Sequence, residues 1–339
     1  MSESEPVKLP LAVTMGEPAG IGGEIALKAW LNRGDGVPPF YLIDDPDRLA
    51  SLARRLGWPT PIRSIDAPDQ ALAVFNDAVP VTPIGMAIHA RPASPDPGDA
   101  PAVLHSIEAA VRDVRSGRAA ALVTNPIHKD SLYRAGFHHP GHTEYLAELA
   151  GVAEAPVMML VCPALRVVPV TIHLSLSRAI ESLTSAAIVH AGRITEAALR
   201  QDFGLVSPIL AFAGLNPHAG EAGGLGREEI EIIEPALDEL RGAGIDARGP
   251  LPSDTMFHTE ARRSYDAALC MYHDQALIPI KTIDFHGGVN VTLGLPFVRT
   301  SPDHGTAFAI AGRGTARADS LIAALRLAAE MAARRSAAS

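Results

Sequence analysis

Residues 9–31 read LPLAVTMGEPAGIGGEIALKAWL. The short apolar run from Leu9 to Thr14 suits a buried strand, and the glycine- and proline-bearing stretch after it breaks that strand. From about Gly22 to Leu31 the apolar side chains return at helical spacing. A strand, a glycine turn and a helix in immediate succession form the repeating unit of an α/β fold.

Outward from this unit the same alternation continues. Phe40 to Ile43 reads as a strand and Pro46 to Leu56 as a helix; Ala120 to Thr124 as a strand before a helix over Lys129–Ala135. Val157 to Val161 and Val167 to Ile172 read as two strands close enough to form a hairpin. Ile209 to Ala213 is a further strand, followed by a helix over Arg227–Arg241 that Pro235 softens. Ala267 to Tyr272 reads as a strand, and Ser320 to Arg335 as a closing helix. The proline-, aspartate- and glycine-rich stretch RPASPDPGDAP (91–101) is expected on the surface, leading into a helix over 102–115. The expected fold is α/β with a largely parallel or mixed sheet.

The chain has 339 residues, which fits one large domain or two lobes sharing a cleft. At 47% hydrophobic residues it can fill a sizeable core, and its formal net charge of -9 gives no global attraction for nucleic acid or anionic lipid. An anionic ligand must therefore be held by local cations. Cys162 and Cys270 lie in the apolar runs VMMLVC and AALCMY without CxxC spacing, so they read as buried core thiols. There is no apolar signal core and no run approaching about 18 apolar residues, so a cytoplasmic location away from membranes is expected.

Chemistry in open α/β sheets collects at the carboxyl ends of strands. Three histidines repeat that context: His173 follows VVPVTI, His218 follows ILAFAGLNP, and His273 follows AALCMY. Three neutral imidazoles at one sheet edge would suit a divalent transition metal, although a lone strand-end histidine is usually only a polar cap. Asp274 and Asp254 stand beside them as further ligands or as partners that orient an imidazole. The run GHTE (141–144) opens an apparent helix, with Thr143 as its expected N-cap and His142 beside it, a favourable place for an anion. Lys281, Asn290 and Arg299 fall in a low-charge, glycine-rich, strand-like stretch, where cations suit a phosphate or carboxylate pocket. MGEPAGIGGE (15–24) matches neither GxGxxG nor GxxxxGK[ST].

The runs TMGEPAGIG, VTNPIHK, GHTEYLAELA, VTIHLSL, GLNPHAGE, LPSDTMF, MYHDQALIPIK and GGVNVTLGLPFVRTSPDHGTAFAIAGRG occur in this order. Together they closely resemble the 4-hydroxythreonine-4-phosphate dehydrogenase (PdxA) family of the bacterial pyridoxal phosphate pathway, over almost the whole chain. The resemblance implies the two-lobed α/β fold of the isocitrate and isopropylmalate dehydrogenases, with a central cleft and pairing as a homodimer. Residues 1–130 with 285–339 are expected to form the first lobe. Residues 131–284 are expected to form the second, with most metal and dimer contacts.

The resemblance also implies one divalent metal, zinc, magnesium, manganese or cobalt, held by His173, His218 and His273. His273 is then expected to serve the partner's active site. The substrate positions implied are His142, Thr143, Lys281, Asn290 and Arg299. NAD or NADP is the implied cofactor, bound without a Rossmann fingerprint, with contacts expected at His304, Gly305 and Gly312 in HGTAFAIAGRG. The implied reaction oxidises 4-phosphooxy-L-threonine at C3 and then loses carbon dioxide to give 3-amino-2-oxopropyl phosphate, with Lys281 or Asp274 as the base. A sister activity on D-threonate or D-erythronate 4-phosphate differs mainly at C2, and a metal-dependent hydrolase or acyltransferase would use similar residues without NAD.

Overall fold

The computed structural model describes residues 9–139 and 141–338. The chain forms two compact units, Met1–Ala155 with Leu295–Ser339, and Pro156–Gly294. In chain order the first unit holds β1 (Leu11–Thr14), α1 (Gly22–Leu31), β2 (Phe40–Asp44), α2 (Pro46–Leu56), β3 (Ile62–Ser64), α3 (Gln70–Val74), β4 (Val79–Pro83), α4 (Ala100–Arg115), β5 (Leu122–Val123), α5 (Lys129–Arg134) and α6 (His142–Ala150). The second holds β6 (Val157–Cys162), β7 (Leu165–Pro169), α7 (Leu176–Ser182), α8 (Ser185–Gln201), β8 (Ile209–Ala213), α9 (Glu234–Gly242), β9 (Asp246–Leu251), α10 (Ser253–Met256), β10 (Ala267–Cys270), α11 (His273–Ile283) and β11 (Val289–Leu293). The chain then returns to the first unit with β12 (Arg299–Pro302) and α12 (Asp319–Ala338).

In the first unit the strands run β3-β4-β2-β1-β5-β12, each pair parallel. Every residue of β1 and β2 is buried, as expected for parallel strands covered on both faces. In the second unit the order is β11-β6-β7-β10-β8-β9. There β11–β6 and β6–β7 are antiparallel, and β7–β10–β8–β9 are parallel. The hairpin read from the sequence is therefore β6–β7, and the mixed sheet belongs to this unit.

The first unit packs its core around Tyr41, Ile43, Ile107, Leu122, Leu132, Phe137 and Leu146, the second around Leu160, Val167, Ala211, Ala268 and Ile280. Both cysteines are buried and free. Among the described residues no helix is long and apolar enough to cross a membrane.

The boundaries differ from the expected lobes, for a packing reason. Residues 131–155 join the first unit because Leu132 of α5, Phe137 after it, and Tyr145 and Leu146 of α6 are buried in its core. Tyr145 Oη donates to Glu108 at 2.7 Å and Arg115 donates to the Leu149 carbonyl at 2.7 Å, both across to α4. Residues 285–294 join the second unit because β11 pairs with β6, Asn290 opposite Leu160. His142 and Thr143 thus lie in the first unit rather than the second, and Asn290 in the second rather than the first.

The carboxyl ends of β1 and β2 are tied together from α4. The Ser106 hydroxyl, fully buried, accepts the Met15 N–H at 2.9 Å and donates to the Ile43 carbonyl at 2.7 Å. Ser106→Ala strands the Met15 N–H inside the core. The expected cost is about 1–3 kcal/mol, read as a lower urea-unfolding midpoint; an unchanged midpoint would show that the bridge contributes nothing.

Candidate active site

In the second unit β7, β10 and β8 are neighbours and run parallel, so their carboxyl ends share one edge. His173, His218 and His273 follow those three strands. The pairing of β7 with β10 continues past the strands: Val170 N–H donates to the Cys270 carbonyl at 2.8 Å, and Thr171 Oγ1 to the Met271 carbonyl at 2.8 Å. This sets His173 opposite His273, ring centroids 6.1 Å apart. Both line a cavity of about 210 Å³ together with Thr171, Leu174, Tyr272 and Asp274.

Asp274 lies 2.7 Å from His273 Nδ1. A carboxylate only accepts, so Nδ1 carries the proton and the Nε2 lone pair is left for a ligand. Two imidazoles meeting over one cavity, one of them oriented by a carboxylate, are a donor set that fits a divalent transition metal.

The His218 loop is built differently. From His218 to Ala222 five consecutive residues have positive φ, from 45° to 78°. Only Gly220 among them lacks a Cβ, and left-handed backbone costs roughly 1–2 kcal/mol for each other residue. Two buried side chains hold the loop. Glu229, 2% exposed, accepts the N–H groups of Leu215 at 2.8 Å and Asn216 at 2.7 Å. Gln275 accepts the Met271 N–H at 2.6 Å and donates to the Gly214 carbonyl at 2.6 Å and to Ser253 Oγ at 2.7 Å. One side chain thus joins the ends of β10 and β8 to α10.

His218 itself is exposed and is not among the residues lining the His173–His273 cavity. Among the described residues no group of three metal-type side chains lies together in one chain. Within the chain His173 therefore faces His273, whereas the resemblance grouped His173 with His218. The β10 segment hydrogen-bonds onward with the β7 segment, while the chain after β8 enters its left-handed run. Asp254 is exposed on α10.

Lys281 sits on α11 rather than in a strand-like stretch. It lies seven residues beyond Asp274, on the same helix face and about 10 Å further along the axis. Its ammonium is 5.8 Å from the Phe285 ring centroid. Asn290 is on β11.

The first unit carries three of the residues expected to hold an anion, His142, Thr143 and Arg299. α6 begins at His142 with Gly141 as N-cap and no side-chain cap, so Thr143 is the second helical residue rather than the N-cap. The first-turn N–H groups are thereby left to a ligand or water. The buried Nε2 of His142 has no hydrogen-bond partner among the described residues. Arg299, first residue of β12 and 4% exposed, donates through Nε and Nη2 to Thr124 Oγ1 at 3.1 and 2.6 Å. Thr124 directly follows β5, which pairs with β12.

Burial pushes the Arg299 guanidinium down to about 10, so it remains a cation at neutral pH. Burial holds His142 well below the usual histidine range, helped by the charges of Arg299 and Lys129, and keeps its ring neutral.

The expected cofactor turn follows β12. His304 Nδ1 lies 3.1 Å from the Gly305 carbonyl, and Gly305 is exposed with open space where a Cβ would stand. Gly312 has φ +69°, and a Cβ there would come within 2.7 Å of Pro92. Its N–H donates to Glu24 Oε2 at 2.9 Å, and Ala316 N–H donates to Glu24 Oε1 at 3.1 Å. The glycine at 312 is thus accounted for by backbone packing, and its N–H is already used. The MGEPAGIGGE loop packs on this turn, with Ile21 N–H donating to the Thr306 carbonyl at 3.1 Å. Glu229, Gln275 and Glu24 were not singled out from the sequence; the available signal was a polar residue set at the edge of an apolar run, as in HDQALIP and GGEIAL.

Residues 37–328 match the family model described as pyridoxal phosphate biosynthetic protein PdxA. A 4-hydroxythreonine-4-phosphate dehydrogenase of Bradyrhizobium diazoefficiens is 58% identical, over 96% of this chain and 97% of that protein. The crystal structure of 4-hydroxythreonine-4-phosphate dehydrogenase from Klebsiella pneumoniae superposes with a TM-score of 0.86 at 36% identity, over 96% of this chain and 99% of that one. A terephthalate 1,2-cis-dihydrodiol dehydrogenase from Burkholderia xenovorans superposes at 0.63 with 28% identity, over 95% and 98% of the two chains. With the family model covering most of the chain and a relative more than half identical along nearly all of it, this chain belongs to the PdxA family of pyridoxal phosphate biosynthetic proteins.

Proposed function

We propose that the chain catalyses the NAD(P)-dependent oxidation of 4-phosphooxy-L-threonine at its C3 hydroxyl, followed by decarboxylation to 3-amino-2-oxopropyl phosphate, in pyridoxal phosphate biosynthesis. The observation that carries this reading is the anion pocket of the first unit, in a chain of the PdxA family: a buried Arg299 cation, an unpaired buried His142 nitrogen and an uncapped helix start. A phosphate answers all three, taking charge-assisted bonds from the guanidinium and satisfying the first-turn N–H groups.

Thr124 holds the Arg299 fork in a fixed orientation, so little side-chain freedom is lost on binding. Neutral His142 with Nε2 protonated donates to a phosphate oxygen. Asp274, engaged with His273, is assigned the orienting role, which leaves Lys281 to take the proton of the C3 hydroxyl. Asn290 is assigned to the reacting end of the substrate. A divalent ion held by His173, His218 and His273 would supply Lewis-acid stabilisation of the charge that builds on the C3 oxygen in both steps. NAD or NADP would accept the C3 hydride, with the turn at His304 and Gly305 as its contact.

The set of three histidines is completed, in this reading, where two copies of the chain meet. Leu174, Leu176 and Ile180 around His173, and Ile278 on α11 after His273, are exposed, Ile278 by 65%. An apolar surface of this kind beside a catalytic site suits a subunit interface.

The sister activity on D-threonate 4-phosphate is separated by one assay. NADH formation with 4-phosphooxy-L-threonine is expected to exceed that with D-threonate 4-phosphate in kcat/KM, and the reverse order would overturn the assignment. Arg299→Ala is expected to raise KM for the phosphorylated substrate so that kcat/KM falls about ten- to a hundredfold. An equal loss on a non-phosphorylated analogue would remove Arg299 from the phosphate pocket. His218→Ala is expected to abolish metal uptake and turnover with the circular dichroism spectrum unchanged, and full turnover in metal-free buffer would rule out the metal role.

The state of His142 predicts a pH dependence. Its native pKa is depressed, so below about 6.5 the unfolded chain binds a proton that the folded chain does not. Stability is fully present above that value and falls as pH drops toward the native pKa, by at most about 1.4 kcal/mol per pH unit. His142→Asn should flatten this slope in urea titrations between pH 7 and 5.5; an unchanged slope would mean that the ring titrates normally.

A further inference from the structure

We infer that Glu229 is a positioning residue for His218 and through it sets the affinity of the metal site; the inference rests on the reading of His218 as a metal ligand. The His218 side chain is exposed, so packing does not fix its direction. Its direction follows from the backbone, and that backbone is a left-handed run from His218 to Ala222 that residues with a Cβ avoid.

Glu229 anchors the segment that leads into the run. Its Oε1 accepts the N–H groups of Leu215 at 2.8 Å and Asn216 at 2.7 Å, and its Oε2 accepts Asn216 Nδ2 at 2.9 Å. The same carboxylate lies against Gly220 inside the run, where a Cβ would come within 2.5 Å of Oε2. Among the described residues Glu229 forms no ion pair, so a buried charge is met by N–H donors of this one loop.

The local backbone selects this glutamate among its neighbours. Residues Glu229–Ile233 form a π-helical turn, which α9 then continues. A wide turn of this kind shifts the side-chain register, and such turns are frequent at functional sites. Glu229 is buried in this turn, whereas Glu231 points out to an Arg227 ion pair, and the half-buried Glu228 accepts Asn216 Nδ2 at 2.7 Å and the Arg227 N–H at 3.0 Å.

A glutamine at 229 keeps the volume and one oxygen but sets an amide donor against the Asn216 amide donor. Glu229→Gln therefore loosens the loop without opening a cavity. Side chains that orient metal ligands typically contribute 10–100-fold to metal affinity.

The test titrates cobalt(II) into the full-length protein as wild type, Glu229→Gln, Glu229→Ala and His218→Ala. It follows the visible absorption bands and competition with a chelator. Inorganic phosphate binding, read as a thermal shift, reports independently on the anion pocket of the first unit. The expected result is a 10–100-fold weaker cobalt affinity and altered bands in Glu229→Gln, with the phosphate response at the wild-type level. Wild-type cobalt affinity and bands in both Glu229 variants would overturn the inference while leaving the metal reading intact. A parallel loss of the phosphate response would reduce Glu229 to general stability and overturn it as well. If Glu229→Ala does not fold, Glu229→Gln decides alone. Cobalt binding in His218→Ala equal to wild type, or none in the wild type, would remove the metal reading and this inference together.

Discussion

Parallel strands deliver their carboxyl ends to one edge, and there the backbone leaves the sheet with N–H and C=O groups that no neighbouring strand satisfies. Everything at the candidate site depends on how those groups are met. Ser106 meets them at β1 and β2, and Thr124 meets Arg299 from the end of β5. Gln275 bridges the ends of β10 and β8, Glu229 braces the loop after β8, and Glu24 braces the turn that follows β12. Apart from Thr124, which accepts from the Arg299 side chain, each is a single buried polar side chain that accepts from or donates to backbone of another segment. A buried carboxylate without a cation is costly unless N–H donors surround it, and Glu24 and Glu229 each receive at least two.

The two units handle charge in opposite ways. The first buries a cation beside a neutral imidazole, and desolvation acts on both: it lowers the Arg299 pKa to about 10 without discharging it, and it discharges His142. The outcome is one fixed positive charge beside a neutral ring whose Nε2 has no hydrogen-bond partner among the described residues. The second unit keeps its histidines at the surface, His173 and His218 exposed and His273 partly so. Leu174 and Leu176, which follow His173, and Ile278 on α11 are exposed as well.

Much of the fold was legible because period and punctuation coincided. Gly22–Leu31, Pro46–Leu56 and Ile209–Ala213 have the predicted limits, since each is apolar in a regular pattern and bounded by Gly, Pro or Asp. Other elements were hidden by local composition. β9 reads DARGPL, with two charges, a glycine and a proline, and becomes a strand through its pairing with β8. The helix expected over Arg227–Arg241 opens with a π-helical turn that no periodicity encodes, and Glu229 in that turn is buried against the loop after β8. The lobe boundaries moved for a similar reason: α5 and α6 belong where Phe137, Tyr145 and Leu146 find a core, and that is decided by α4.

At the site the types of residue were legible and their groupings were not. Three histidines after three apolar runs could be placed at one sheet edge because the strands proved adjacent and parallel. Which two would meet depended on hydrogen bonds beyond the strands, Val170 to Cys270 and Thr171 to Met271, that carry no sequence signature. The same limit applies to Gly312. Its glycine suggested a cofactor turn, while its positive φ, its closeness to Pro92 and its bond to Glu24 give it a sufficient structural reason. The glycine at 312 records that something lies close to the backbone. Whether that neighbour is a ligand or a proline follows only from the fold, which is why the unpaired buried nitrogen of His142 and the buried cation of Arg299 carry the functional reading and the glycine turns do not.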